Sequence, residues 1–240
     1  TTAVFIRYLT ETYHLPALVL AFWRALFVSL TVLIYLGLVK PRLMKEGLPH
    51  LKYLIIYGFA LAVFNSSWTL SVALNGAAIA TVLAYCSAGF TALLGWWLLK
   101  EKLGWVKIIA VIFSLGGCVL VSGALDASLR QSNLLGILMG ILSGLLYAIY
   151  SLMGRSAAQR GLNPWTTLLY TFGFDAVFLL IFNLVSSGII PGAAAKISDL
   201  MWLGNAWAGW GILFLLAAGP TVAGFGLYNT SLSLLPSSVA

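Results

Sequence analysis

The sequence predicts an all-α polytopic membrane protein. Its plan is an inverted repeat of two five-helix halves, with ten spans in the complete chain and about eight plus partial ends within these 240 residues. Three observations lead there: an extreme apolar composition, an internal repeat, and basic residues that alternate between loops. Hydrophobic residues make up 61% of the chain and charged residues 8%, with a mean hydropathy of +1.01. Ordinary soluble domains carry about 25% charged residues, so this chain has too little polar surface to face water on all sides.

Apolar runs of roughly 20 residues, enough to cross a ~30 Å hydrocarbon core, fall at 16–39, 53–74, 77–99, 105–124, 134–153, 165–187 and 210–235. These are the expected full spans. Residues 1–9 read as the end of a further span and 237–240 as the start of another. No cleavable signal peptide is visible. Asn75-Gly76 reads as a tight bend joining neighbouring helices, and Gly219-Pro220 interrupts the last run as a hinge or broken-helix site. Cys86 and Cys118 lie inside apolar runs and read as small buried residues rather than as a disulfide or metal ligands.

The repeat emerges on sliding the chain along itself. Ser231 lies 160 positions after Ser71, and that offset also sets Tyr228 on Trp68, Leu234 on Leu74, Val239 on Ile79 and Ala240 on Ala80. An offset of 148 sets Pro164 on Pro16 and Arg155 on Arg7, the difference falling in a longer loop at 188–206. Two units follow, 1–124 and 125–240. In the first unit the sequence continues past Ala80 through two more spans to about Gly123, so the second is expected to need two helices beyond Ala240. The run 134–148 has no counterpart before Thr1, so the first helix is expected to lack most of its length.

A unit with an odd number of spans enters the membrane from opposite sides in its two copies, as in secondary transporters. Loop charge tests this independently. Lys40, Arg42, Lys45 and Lys52, then Lys100, Lys102 and Lys107, then Arg155 and Arg160 occupy alternate loops, whereas the opposite loops hold Arg7, Arg130 and Lys196. Nine against three places the first group, and both ends of the complete chain, in the cytoplasm. The net charge of +7 is thereby a topology signal. Nucleic-acid binding, the usual alternative at a pI near 9.5, would need those residues gathered on one soluble face.

Several stretches then resemble a known family. They are Ala77-Ala78-Ile79-Ala80 with Leu83 and Tyr85, the run from Phe90 through Gly95-Trp96-Trp97 to Lys100-Glu101-Lys102, and Gly116-Gly117 with Gly123. In the second unit they are Gly136, Tyr147-Ala148-Ile149-Tyr150, Arg155, Tyr228-Asn229-Thr230-Ser231-Leu232 and 235–240. Together these resemble the signature of the EamA family of the drug/metabolite transporter superfamily, and Arg24, eight residues after Pro16, fits that family's second-helix arginine. Ala88 departs from it, standing where the family usually has a proline that kinks the helix. The resemblance implies helices surrounding a central cavity, export of small organic metabolites and a bacterial inner membrane. Aromatic richness points within the family to export of aromatic amino acids.

Polar groups inside spans are costly in lipid and should turn toward the bundle interior or a watery cavity. Arg24 and Asp175 are the strongly charged side chains well inside spans. At 1.5 Å per residue, Arg24 lies about 12 Å from one membrane face and Asp175 about 14 Å from the same face, so they are expected to pair or to line one cavity. Asp175 is also the candidate for proton coupling. Other candidate substrate-binding residues form stripes at helical spacing: Asn65, Trp68 and Thr69; Thr81 and Tyr85; Ser143, Tyr147 and Ser151; Thr171 with Asp175; Thr221 and Tyr228. Tyr and Trp there offer flat apolar walls with a hydrogen-bonding tip. Trp202, Trp207 and Trp210 read as an interfacial belt, and Gly136, Gly140 and Gly144 as a close-packing helix face within one monomer rather than a dimer contact.

The partners expected are thus a small-molecule substrate and membrane lipid, without nucleic acid, cofactor or metal. Alternatives within the superfamily are sugar-phosphate or nucleotide-sugar exchange, which would favour several buried cations where this chain offers Arg24. A seven-helix receptor conflicts with the repeat. No enzyme is expected: His14 and His50 lie at or outside helix ends, and no serine has an evident base. A G-x-x-x-x-G-K-[ST] phosphate loop is absent from these 240 residues.

Overall fold

Prolines, glycines and asparagines punctuate an otherwise apolar chain, and helices fill the intervals. The computed structural model describes residues 2–99, 104–121, 133–186 and 190–234. Among them ten α-helices run in the order α1 Thr2–Thr12, α2 Ala17–Val39, α3 Pro41–Glu46, α4 Leu51–Ala84, α5 Ser87–Leu99, α6 Trp105–Val121, α7 Leu134–Gln159, α8 Pro164–Ser186, α9 Trp207–Leu216 and α10 Val222–Leu234, with no strand. Lys100, Glu101, Lys102, Gly123, Arg130 and 235–240 lie outside the described residues, as does the side chain of Cys118.

Local chemistry sets the boundaries. Asn163 caps α8, its Oδ1 accepting from the Trp165 N–H at 3.0 Å, and Pro164 follows at the first helical position, where its missing N–H costs nothing. Helix α7 ends on Gly161 at φ 77°, where the Leu162 N–H returns to the Ala157 carbonyl and the Gly161 N–H to Ala158. Within α4, Gly76 takes φ 80° and ψ 165°, a conformation that divides the element into two helices at the expected bend. Asn75 then does more than turn the chain. Its amide exchanges two hydrogen bonds with the Asn133 backbone, 2.8 and 3.1 Å long, and so fastens the bend to the start of α7.

Five stretches are long and apolar enough to cross a membrane among the described residues: Ala17–Val39, Pro41–Ala84, Leu134–Gln159, Pro164–Val185 and Trp207–Leu234. One expected span comes out differently. The run at 77–99 is not one helix: it breaks at Tyr85-Cys86, giving residues 77–84 and then α5. No proline stands there; the turn packs onto Gly144, where an added Cβ would lie 3.3 Å from the Leu83 carbonyl oxygen and from the Ser87 nitrogen. The run at 105–124 is described as the 17 residues of α6.

The part of α4 before the Gly76 bend lies antiparallel along α7; α4 also packs on α8, α2 packs on α8, and α10 runs beside α7 and α8. Glycines permit the closest of these approaches. A Cβ on Gly136 would lie 2.5 Å from the Asn75 amide, and one on Gly140 would lie 2.7 Å from Leu83, so the glycine face of α7 is occupied within the chain. Ala25, Val28, Leu61, Leu168 and Phe172 build the main core. A second cluster, with Ile6, Leu9, Leu20, Val72 and Leu213, closes the bundle at the α2 N-terminal end. Ile34, Ile56, Val177 and Leu227 are exposed on the outside, a surface suited to lipid. Trp202 and Trp207 are exposed too, but Trp210 turns inward, its ring 4.8 Å from Trp23.

Candidate functional site

Where α2, α4, α7 and α10 meet, they leave a cavity of about 410 Å³, within the roughly 300–1,000 Å³ of small-ligand sites. Eight of the thirteen residues read from the sequence line it. Arg24 comes from α2, Asn65 and Trp68 from the first part of α4, and Thr81 and Tyr85 from the stretch before the helix break. Tyr147 enters from α7, and Thr221 and Tyr228 come from the end of the chain.

The charged pair meets indirectly. Arg24 Nη2 donates to Asn65 Oδ1 at 2.7 Å, and Asn65 Nδ2 donates to Asp175 Oδ2 at 2.5 Å. Asn65 from α4 is therefore a bridge between α2 and α8, and the direct pairing open from the sequence is corrected to a three-residue chain. Its amide can sit only one way, oxygen toward the guanidinium and nitrogen toward the carboxylate. Arg24 is 2% exposed and lies on the wall, with its guanidinium carbon 5.3 Å from the centre of the Trp68 ring. Asp175 is fully buried behind Asn65.

Four other candidates also stand behind the wall. Ser143 donates to the Gly140 carbonyl and Thr171 to the Thr167 carbonyl, each satisfying its hydroxyl within its own helix. Thr69 is buried, its hydroxyl without a hydrogen-bond partner among the described residues. Ser151 donates to the Tyr147 carbonyl and meets the Tyr228 hydroxyl at 2.5 Å. With the serine proton committed, the Tyr228 hydroxyl is the donor of that second bond.

Below the cavity, toward the C-terminal ends of α7 and α10, aromatic rings form a floor. Tyr147 lies 5.4 Å from Tyr228 and 5.3 Å from Phe64, Tyr150 lies 4.8 Å from Tyr57, and the Tyr150 hydroxyl reaches Asn229 at 3.1 Å. Phe64 and Phe225 line the cavity as well, although the sequence reading passed over both. Phe225 was within reach, because it sits on the helical stripe of Thr221 and Tyr228; an apolar ring at that spacing simply looks like core.

One wall is built from broken backbone. Ala217–Thr221 forms a π-helical turn between α9 and α10 around Pro220. Proline has no N–H to give the Leu216 carbonyl, and the Thr221 hydroxyl donates to it instead at 2.7 Å. The hinge expected at Gly219-Pro220 thus takes the form of a widened, satisfied turn on the cavity rim.

Buried polar chain, aromatic floor and broken helices around a solute-sized hollow define a membrane-embedded helical bundle of the transporter class. The chain belongs to the EamA-like transporter family, whose sequence profile matches residues 1–123 and 134–240. It is 28% identical over 193 residues to an uncharacterized transporter of Helicobacter pylori (strain J99), covering 76% of this chain and 60% of that protein. An uncharacterized transporter of Archaeoglobus fulgidus is 30% identical over 178 residues, 72% of this chain and 59% of the relative. The uncharacterized transporter YyaM of Bacillus subtilis is 26% identical over 227 residues, 91% and 69% respectively. This chain therefore spans about 60% of the first of these relatives. A crystal structure superposes with a TM-score of 0.61 at 14% identity, covering 97% of this chain and 76% of the other, a likeness of fold.

Proposed function

We propose that the protein is a secondary transporter exporting small organic metabolites, amino acids with aromatic or neutral side chains foremost, by alternating access around the central cavity. The observation that carries this reading is the cavity itself: about 410 Å³, walled by Trp68, Tyr85, Tyr147 and Tyr228, with Arg24 as its buried cation. Helices of both units contribute to it, α2 and α4 from 1–124 and α7 and α10 from 125–240. That arrangement suits two inverted halves rocking about a midplane site. The family match in two separate stretches supports the two-unit, ten-span plan. We read the whole protein as a monomer of the bacterial inner membrane with cytoplasmic termini.

Asp175 is the candidate for coupling to protons, acting on the cavity through Asn65 and Arg24 rather than by touching substrate. The test is uptake of radiolabelled Trp, Phe, Thr and Ala by the full-length protein in proteoliposomes, with and without a pH gradient, for wild type and Asp175→Asn. Saturable uptake favouring Trp and Phe is expected, with gradient dependence lost in the variant. Absence of saturable uptake for all four would remove the amino-acid reading, and unchanged gradient dependence would remove Asp175 from coupling.

A further inference from the structure

The cavity offers a solute one sign of charge. Arg24 supplies a cation, and no acidic residue lines the wall among the described residues. Asp175 stands behind Asn65 and takes that amide's N–H, so its carboxylate does not face the hollow. The guanidinium has five N–H donors. Nη2 uses one on Asn65, and Nε meets no hydrogen-bond partner among the described residues. Trp68 covers one face of the group and Nε is itself buried, so the donors left for a solute are those of Nη1 and the second of Nη2, a fork that can take a carboxylate with paired hydrogen bonds. Among the described residues a solute ammonium finds no carboxylate on the wall. The Leu216 carbonyl, freed at the π-helical turn, is already taken by the Thr221 hydroxyl.

We infer that Arg24 anchors the carboxylate of an amphiphilic monocarboxylate whose aromatic or bulky apolar body lies against Trp68, Tyr147 and Phe225. The carboxylate is the group the site requires, and an α-amino group is not read. Arg24 and Asp175 keep the empty bundle electrically balanced, with Asn65 carrying the connection between them. A phosphate dianion would call for a second cation on the wall. The inference takes its transport meaning from the function proposed above, but binding can be measured apart from flux.

The experiment is calorimetric titration of the full-length protein in detergent with indole-3-propionate, tryptamine and 3-ethylindole, which share a ring and differ in the charged group. Indole-3-propionate is expected to bind at least about tenfold more tightly than the other two. The double variant Arg24→Gln/Asp175→Asn removes both charges and leaves no unpaired ion in the core; it should lose that advantage. Arg24→Lys, which keeps the charge and loses the planar fork, should retain part of it. Equal binding of tryptamine and indole-3-propionate, full binding by the double variant, or no saturable carboxylate binding would each overturn the assignment. Flux in proteoliposomes separates the two readings: binding without flux removes the transporter and leaves the anchor, whereas flux of tryptamine alone removes the anchor and leaves the transporter.

Discussion

Asn65 holds a position that only an amide fills well, since it must accept from a guanidinium on one side and donate to a carboxylate on the other. Leucine has similar bulk and neither group. Asn65→Leu is therefore expected to leave two buried charges without their bridge and to destabilise the bundle by about 3 kcal/mol or more, read as a large fall in Tm of the purified protein. Trp68→Phe, which leaves the bridge intact, should fall much less. Equal Tm values for Asn65→Leu and wild type would show that the chain contributes nothing to stability. The sequence placed Arg24 and Asp175 at one depth by counting residues, but it could not show that a third helix inserts Asn65 between them. It also read Ser143 and Thr171 as facing the cavity. Each closes its hydroxyl onto its own helix, and this local option means that a polar residue in a span does not by itself signal water.

Helix α7 lies against α4 so closely that its glycines set the distance. Adding a side chain at Gly140 would place a Cβ 2.7 Å from Leu83 and 2.9 Å from Ser71 Oγ, with the chain beyond it having nowhere to go. Gly140→Leu should cost about 2 kcal/mol or more by overpacking. Gly37 has nothing within 4 Å of an added Cβ, so Gly37→Ala should be neutral or stabilising by helix propensity. Thermal unfolding of the two variants checks both, and a tolerant Gly140→Leu would refute the close packing of α7 on α4. The glycine face was legible because its four-residue spacing is a helical period. The break at Tyr85-Cys86 was not, because neither residue is a helix breaker and the glycine it packs against, Gly144, lies far away in sequence.

For the whole molecule, composition and length sufficed to read helices that cross a membrane, and the structure has five such stretches among the described residues. Their direction is a separate matter, carried by loop charge. Lys45 and Lys196 belong to loops that the charge alternation puts on opposite sides. In cells, Lys196→Cys should react with a membrane-impermeant maleimide added outside, and Lys45→Cys only after the membrane is opened. Labelling of both from the same side would overturn the alternating topology and, with it, the inverted repeat. Cys86, 2% exposed, should contribute little background.

The widened turn at Ala217–Thr221 has a consequence for how the wall tolerates change. A π-helical turn holds one residue more than an α-helical one, and each residue in a helix advances the azimuth by about 100°. The orientation of Phe225 and Tyr228 toward the cavity, and the bond from Tyr228 to Ser151, therefore depend on how the turn upstream of them takes up its residue count. One extra residue taken up within about one full sweep of the helix leaves the azimuth beyond it nearly where an unbroken α-helix one residue shorter would put it, so both rings keep facing the cavity. The extra residue is thus felt in the backbone at Leu216, where the Thr221 hydroxyl answers it, and not in the direction of the wall.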